Sequence, residues 1–192
     1  MDHQLHFTGD EAADRLLSTD PLALLIGMLL DQQIAMETAF AGPHKLDERL
    51  GGFDAAKLAA MDPDDLTDVM RQTPAVHRYP GSMAKRIVAL SAAIVEDYDG
   101  EASRIWTDGE PDGAEILRRL KKLPGFGEQK AKIFLALLGK QCGLEAPGWR
   151  EATGSYGEEG ARRSIADVVD EDTLLQVRET KRAAKAAAKN KS

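Results

Sequence analysis

The segment LPGFG, residues 123–127, constrains the fold of this chain more than any other. It joins two helical patterns, DGAEILRRLKKL before it and EQKAKIFLALLGKQ after it. Gly125 and Gly127 supply backbone freedom and remove side-chain bulk, so the two helices can turn back on each other as a hairpin. The backbone N–H groups that open the second helix then point outward with a partial positive charge, which suits an anion such as phosphate.

Four lysines surround this hairpin in the sequence: Lys121, Lys122, Lys130 and Lys132. Backbone N–H groups that contact phosphate carry no base information, so such a hairpin would hold nucleic acid without reading its sequence. The alternative is an ordinary helix–helix corner whose lysines are solvated. The full pattern supports the functional interpretation better than the corner alone, because Ala131 precedes an apolar face of Ile133, Phe134, Leu137 and Leu138.

The formal net charge of −7 hides an asymmetry along the chain. Residues 115–192 carry 16 Lys/Arg against 11 Asp/Glu, a net +5, whereas the first 114 residues carry 9 against 21, a net −12. An acidic protein is not an obvious polyanion binder, but an acidic lobe joined to a basic one can be, if the basic surface makes the contact. The basic tail 178–192 either adds nonspecific phosphate affinity or is simply a soluble end.

Helical signals recur along the chain, and strand signals are scarce. Thr19-Asp20-Pro21 is a helix start, and it leads into one apolar helix, LALLIGMLLDQQIAMETAF. Further helices are predicted from Asp54, from Asp62-Pro63, and over SMAKRIVALSAAIVEDY, where one face holds Ile87, Leu90, Ser91, Ile94, Val95 and Tyr98. Residues 143–160 are predicted to be mostly loop, and the C-terminal helix is expected to fray. The sequence therefore predicts an all-α fold.

Composition places the chain among globular proteins, with 43% hydrophobic and 30% charged residues. The longest apolar run, Leu22 to Leu30, is far too short to span a bilayer. The N-terminus lacks the basic-then-apolar order of a signal peptide, so we expect a cytoplasmic protein without a membrane partner. The single cysteine, Cys142, fits a reducing interior, and it excludes an internal disulfide and an iron–sulfur cluster held by four cysteines of this chain.

The hairpin LPGFGEQKA and the upstream stretch ending in QQI together resemble the HhH-GPD superfamily of base-excision DNA glycosylases, which includes endonuclease III-like and 3-methyladenine glycosylase-like enzymes. The resemblance covers roughly Pro21 to Gly139. It implies a two-lobed bundle of helices, with DNA held at the hairpin and a base pocket between the lobes. Residues 20–140 are then the helical core with the helix-hairpin-helix at 113–139, and residues 1–19 and 141–192 complete the second lobe.

The resemblance implies a set of DNA-binding residues in the hairpin and near the end of the early helix: Gly125, Phe126, Gly127, Gln129, Lys130, Lys132, Gln32 and Gln33. In the family a glutamine at the end of the early helix often fills the gap that an extruded base leaves. Gln33 fits that place best, with Gln32 beside it. The alternative for both is a solvated polar end on a buried helix.

The chain departs from the family at two positions. Bifunctional members place a Schiff-base lysine where this chain has Gln129, and Lys130 would face about 100° away on the helix, so we do not expect a Lys-dependent abasic-site lyase. Most members also carry a catalytic aspartate in the window that here holds Pro147-Gly148-Trp149. Glu145 and Glu151 flank this window, and each is either a replacement catalytic carboxylate or a solvated loop residue.

The loop TPAVHRYPG supplies the candidate pocket residues His77, Arg78 and Tyr79. Tyrosine can stack on a base, arginine can pair with phosphate, and histidine can do either or move protons. The family layout puts this loop on the cleft side, whereas the alternative packs Tyr79 in the core and leaves Arg78 solvated. Trp149 is either a pocket wall or a core aromatic.

These observations lead to three functional hypotheses. The first is a monomeric, monofunctional DNA glycosylase of base-excision repair that binds double-stranded DNA, flips a damaged base and hydrolyses the N-glycosidic bond without a metal or redox cofactor. Such hydrolysis builds positive charge on the sugar, which a nearby carboxylate stabilises. The second is a noncatalytic relative that recognises distorted DNA, and the third is a protein-interaction module that has kept only the fold.

Overall fold

The computed structural model describes residues 3–191, and this range is all-helical, as the sequence predicts. It holds eleven α-helices, two short 3-10 turns at Gly154–Gly157 and Ile165–Asp167, and no strand. The helices are α1 (Glu11–Thr19), α2 (Pro21–Leu30), α3 (Met36–Leu50), α4 (Ala55–Ala60), α5 (Pro63–Arg71), α6 (Pro80–Tyr98), α7 (Arg104–Thr107), α8 (Gly113–Lys121), α9 (Glu128–Gln141), α10 (Trp149–Thr153) and α11 (Glu171–Lys189). Each helix within residues 3–191 is too short or too polar to cross a bilayer.

Aspartate side chains begin six of the helices within the described range. In each case the carboxylate accepts a hydrogen bond from a backbone N–H of the first turn, which has no acceptor within the helix. The negative charge also complements the positive end of the helix dipole. The capping residues are Asp10, Asp20, Asp54, Asp62, Asp112 and Asp170. The predicted helix starts at Asp20, Asp54 and Asp62 are confirmed.

Helix α2 lies at the centre of the fold, and nine of its ten residues are buried. Helix α3 packs closely on it, because a Cβ at Gly27 would lie only 2.5 Å from the ring of Phe40. Helix α6 covers a second side, with α4 and α5 packed on α6, and the first turns of α9 contact the end of α2. The two segments that carry the QQI and LPGFG motifs are therefore neighbours in space.

The prediction of one continuous helix through residues 22–40 is wrong. Helix α2 ends at Leu30, residues 31–35 form a turn, and α3 begins at Met36. The carbonyl groups at the end of α2 accept hydrogen bonds from the side chains of His77 and Lys130, which belong to other elements. Gln33 also has a φ of +60°, which a helix does not allow.

The predicted apolar face of α6 is largely correct. Ile87, Leu90, Ser91 and Ile94 are buried, and Tyr98 is half-buried. Val95 is 37% exposed, so it lies outside this face.

The segment predicted as loop, residues 143–160, contains the short helix α10 and a 3-10 turn. Its irregular start matches the prediction, but α10 packs on both α8 and α9. The final helix, α11, continues to Lys189 and is longer than the fraying end that the sequence led us to expect. Together these segments cover the outer side of the α8–α9 hairpin and the turn after α2.

Candidate functional site

The hairpin between α8 and α9 has the geometry of an anion seat. Gly125 has a φ of +83°, in the left-handed region that favours glycine, and a Cβ there would lie 2.5 Å from the Leu29 side chain. Gly127 precedes α9 without a side-chain cap, and no atom lies within 4 Å of where its Cβ would stand. Helix geometry leaves the first N–H groups of α9 without intrahelical acceptors, and such groups can donate to an anion.

Two of the four predicted lysines pair with one carboxylate at this seat. The Nζ atoms of Lys121 and Lys132 lie 4.0 and 3.4 Å from Oε1 of Glu128, and Lys122 is exposed beside them. Glu128 is 62% exposed, so these pairs contribute little to stability. Both ammonium groups can therefore exchange the carboxylate for a phosphate at small cost.

Phe126 and Gln129 occupy different places at the hairpin. The Phe126 side chain is buried and meets the ring of Phe134 edge-on at 6.2 Å, so only its backbone is available to a ligand. Gln129 is exposed, and its Nε2 donates to the hydroxyl oxygen of Tyr156 at 3.0 Å. Tyr156 therefore contacts the first turn of α9 through Gln129, and the sequence did not indicate this contact.

The sequence led us to expect Lys130 as an exposed phosphate contact, but its side chain is half-buried. Its ammonium donates hydrogen bonds to the carbonyl oxygens of Met28 and Leu29, both at 2.7 Å. Burial lowers the pKa of Lys130 to about 8, and the charge of Asp31 acts in the opposite direction. The side chain therefore joins the start of α9 to the end of α2 instead of facing a ligand at the hairpin.

The turn at residues 31–35, here called the glutamine turn, presents its two glutamines differently. Gln32 is half-buried, its Nε2 donates to Leu29 O at 2.8 Å, and its Oε1 accepts from Arg86 Nη1 at 2.7 Å. Gln33 is exposed, and its φ of +60° is uncommon for a residue with a side chain. Gln33 therefore projects from a well-supported turn, and strained backbone of this kind is typical of functional segments.

The buried side chain of His77 forms hydrogen bonds to the glutamine turn and to the residue before it. Its Nε2 lies 3.1 Å from Leu30 O and 3.0 Å from Gln32 O. The Tyr79 N–H donates to Nδ1 at 3.0 Å. Two acceptors at Nε2 and a donor at Nδ1 require the neutral ring with its proton on Nε2. Burial lowers the pKa of His77, which favours the same neutral form.

Arg78 and Tyr79 are both exposed beside this histidine. Tyr79 is 42% exposed, and the Arg78 guanidinium carbon lies 5.5 Å from the centre of its ring. The alternative that Tyr79 packs in the core is wrong. An exposed tyrosine with an arginine over its ring, next to the glutamine turn, is well placed to contact a nucleic acid.

Trp149 and Glu145 lie at the opposite end of the α8–α9 pair. The Trp149 ring lies against Gly139, and its backbone lies against Gly113, which places this half-buried tryptophan about 18 Å along α9 from Gly127. Glu145 directly follows Leu144, whose N–H donates to the carbonyl of Leu138 at this same end. The structure therefore does not bring Trp149 or Glu145 together with the hairpin.

Glu151 lies in α10, two residues after Trp149. Its side chain is exposed, as is that of Glu145, and within residues 3–191 neither carboxylate makes a hydrogen bond or an ion pair. Their catalytic roles stay predictions. Cys142 is half-buried, burial raises the pKa of its thiol to about 11, and it is therefore an unreactive thiol. The described part of the chain holds no group of three or more His, Cys, Asp or Glu arranged for a metal ion.

Asp31 is the carboxylate that sequence reasoning missed. It begins the glutamine turn, its side chain is only 7% exposed, and Lys181 of α11 lies 3.6 Å from its Oδ2. Burial raises the pKa of Asp31, while the charges of Lys181 and Lys130 act to lower it. A second ion pair, between Arg178 and Glu37, lies one helical turn away on α11. The basic residues at the start of the predicted tail are thus partly directed onto the glutamine turn.

Comparison with known proteins identifies a family for this site. The model of the HhH-GPD superfamily base excision DNA repair protein matches residues 26–189. The matched range contains the glutamine turn, the α8–α9 hairpin, α10 and all of α11. No curated protein matches the sequence.

Proposed function

The chain belongs to the HhH-GPD superfamily of base excision DNA repair proteins, and from that membership we propose that it is a monofunctional DNA glycosylase. It binds double-stranded DNA, extrudes a damaged base and hydrolyses the N-glycosidic bond. Its cytoplasmic location and monomeric state stay predictions.

The observation that carries this proposal is that the α8–α9 hairpin and the glutamine turn lie side by side. Lys130 of α9 bonds to the carbonyls of Met28 and Leu29, and a Cβ at Gly125 would meet Leu29. The anion seat of the hairpin and the glutamine turn are therefore held in fixed relation. A backbone-binding element beside an exposed, strained glutamine is what base extrusion requires, because the phosphate grip must hold the strand whose base leaves the stack.

Each part of the surface then has a role that its geometry supports. The free N–H groups at the start of α9 donate hydrogen bonds to a phosphate, with Lys121 and Lys132 beside them. Gln33 fills the gap in the duplex, while Gln32 and His77 hold the turn that presents it. Arg78 and Tyr79 directly follow His77, which contacts the same turn, and both are exposed, so they can contact the backbone and a base.

The amine groups do not favour lyase chemistry. Gln129 stands at the first-turn position where the family places its nucleophilic lysine, and it is hydrogen-bonded to Tyr156. Lys130 is half-buried, and its ammonium is occupied by two carbonyl oxygens. The proposal is therefore hydrolysis by water and not attack by a lysine amine.

The test is base release from duplexes that contain single alkylated, deaminated or oxidised bases, measured alongside equilibrium binding to the same duplexes. Release of at least one base, with multiple turnovers and without strand cleavage, is the expected result. Tight binding to distorted duplexes without release from any of them would instead establish the noncatalytic alternative. Failure to bind any duplex would contradict both and favour the protein-interaction hypothesis.

A further inference from the structure

We propose that Asp31 is the carboxylate that contacts the sugar of the extruded nucleotide and stabilises its positive charge. This inference rests on the proposed function, since it assigns a role within that same site. It replaces the expectation that Glu145 or Glu151 supplies the carboxylate.

Asp31 lies close to the point of base extrusion. Asp31 and Gln33 are two residues apart in one turn, so their Cα atoms lie within about 7 Å of each other. If Gln33 fills the gap in the duplex, the nucleotide that left the gap lies next to it, within reach of Asp31. Glu145, by contrast, lies beyond the C-terminal end of α9, at the end opposite the hairpin.

Asp31 also stands at an electrostatically unfavourable place on its helix. Six other aspartates of the described range begin helices, where their charge complements the helix dipole. Asp31 directly follows the last residue of α2, at the negative end of that dipole, and is 7% exposed. A nearly buried carboxylate at the wrong end of a helix opposes folding, and such groups are concentrated at functional sites.

The electrostatic surroundings of Asp31 keep its charge available to a cationic sugar. Two ammonium groups from different helices compensate the buried charge: Lys181 of α11, at 3.6 Å, and Lys130 of α9, which is bonded to the end of α2 beside Asp31. Lys181 is 41% exposed, so it is free to turn towards a phosphate when DNA binds. The carboxylate then remains in a largely desolvated place, where its attraction for a cationic sugar is stronger than in water.

Hydrolysis of the N-glycosidic bond needs water as its only co-reactant. The bond between C1′ and the base nitrogen breaks, its electron pair leaves with the base, and the base takes a proton from solvent. Asp31 stabilises the resulting positive charge on the sugar. Water then adds to C1′ and gives its proton to Asp31, which returns it to solvent.

The experiment that tests this role of Asp31 measures binding instead of turnover, so it does not depend on finding the substrate. One duplex carries a pyrrolidine abasic nucleotide, whose ring nitrogen is positively charged like the reacting sugar. The other carries a tetrahydrofuran abasic nucleotide, which has the same shape and no charge. We expect the native protein to bind the pyrrolidine duplex at least about tenfold more tightly, as transition-state analogues are bound more tightly than uncharged ligands.

Asp31→Asn should lose this preference and keep its affinity for the tetrahydrofuran duplex within about twofold, while Asp97→Asn, an exposed carboxylate on α6, keeps the preference. Asp31→Ser serves as a second variant if the asparagine variant does not fold. A native protein that binds both duplexes equally, or a preference lost in Glu151→Gln and kept in Asp31→Asn, would overturn the assignment. A preference that requires Asp31, together with no base release from any substrate, would support Asp31 as the cation-binding group and contradict the glycosylase proposal.

Discussion

The ammonium of Lys130 lies 2.7 Å from the carbonyl oxygen of Leu29, although the two residues are 101 positions apart in the sequence. The same ammonium bonds to Met28 at an equal distance. This contact joins the start of α9 to the end of α2, and it thereby holds the LPGFG hairpin beside the glutamine turn. Lys130 is consequently a structural residue, whereas Lys121 and Lys132 pair with the exposed Glu128.

Lys130→Met should therefore destabilise the protein while leaving its phosphate contacts intact. We expect a loss of about 2 kcal/mol in the free energy of unfolding, because two buried carbonyls lose a charged donor. Lys132→Met is the matched control: its exposed pair with Glu128 contributes about 0–1 kcal/mol, but its loss should lower the slope of log K against log salt by about 0.9. Urea denaturation and salt-dependent DNA binding separate the two roles. A change of salt slope in Lys130→Met and not in Lys132→Met would reverse the assignment.

Gly127→Val tests the anion seat at the start of α9. The φ of Gly127 is −80°, and no atom lies within 4 Å of its Cβ position, so the fold should tolerate the new side chain. The added methyl groups occupy the space in front of the free N–H groups, so the affinity for all duplex sequences should fall by the same factor. Each tenfold fall corresponds to about 1.4 kcal/mol of binding free energy. Gly81→Ala, in the first turn of α6, is a control that leaves the hairpin unchanged. Equal affinities of native protein and Gly127→Val would remove the hairpin from the DNA-binding surface.

Local features of the sequence predict much of this fold. Aspartate before a helix caps it through its own first turn, so the starts at Asp20, Asp54 and Asp62 follow from adjacent residues. The hairpin follows equally from LPGFG, because its glycine Gly125 needs its positive φ whatever surrounds it. These features depend on contacts within a few residues, and the sequence displays them directly.

The interruption between α2 and α3 was not predictable in this way. The carbonyls at the end of α2 are bonded by His77 and Lys130, which lie 47 and about 100 positions away. The pairing of Asp31 with Lys181 spans most of the chain. Both depend on tertiary packing that one sequence does not reveal, so Lys130 was expected at the surface and Asp31 was not expected in the site.

His77 should make stability depend on pH. Burial lowers its pKa in the folded protein below the ordinary value of 6.5, so folding favours the neutral ring. The stabilisation is complete above pH 6.5 and is lost as the pH falls from there through the lower folded pKa, because the unfolded chain binds the proton first. Protonation of Nδ1 would also remove the acceptor for Tyr79 N–H. Urea denaturation at pH 5–8 should show a smaller pH dependence for His77→Gln than for the native protein, and parallel curves would contradict the prediction.

The two adjacent glutamines should respond differently to truncation. Gln33→Ala removes an exposed side chain without partners in the described structure, so stability should change by less than about 0.5 kcal/mol while affinity for an abasic duplex falls. Gln32→Ala removes the bonds to Leu29 O and Arg86, so it should cost about 1 kcal/mol of stability. Thermal unfolding and binding to abasic and intact duplexes measure both effects. Equal loss of abasic-duplex binding in both variants would show that the turn acts as a whole and that Gln33 has no separate role.

The protein should form no covalent complex with abasic DNA under borohydride. Gln129 stands where the resemblance to the family implies a nucleophilic lysine, and the ammonium of Lys130 is held by Met28 and Leu29. The trapping experiment is most stringent near pH 8. The pKa of Lys130 is lowered to about 8, so at this pH about half of the molecules carry Lys130 as an uncharged amine. Gln129→Lys is the positive control: it gives up the bond to Tyr156 and places an amine at the exposed first turn of α9, so trapping should appear. Trapping by the native protein that disappears in Lys130→Met would show that the buried amine reaches the sugar, and hydrolysis by water would no longer be the preferred mechanism.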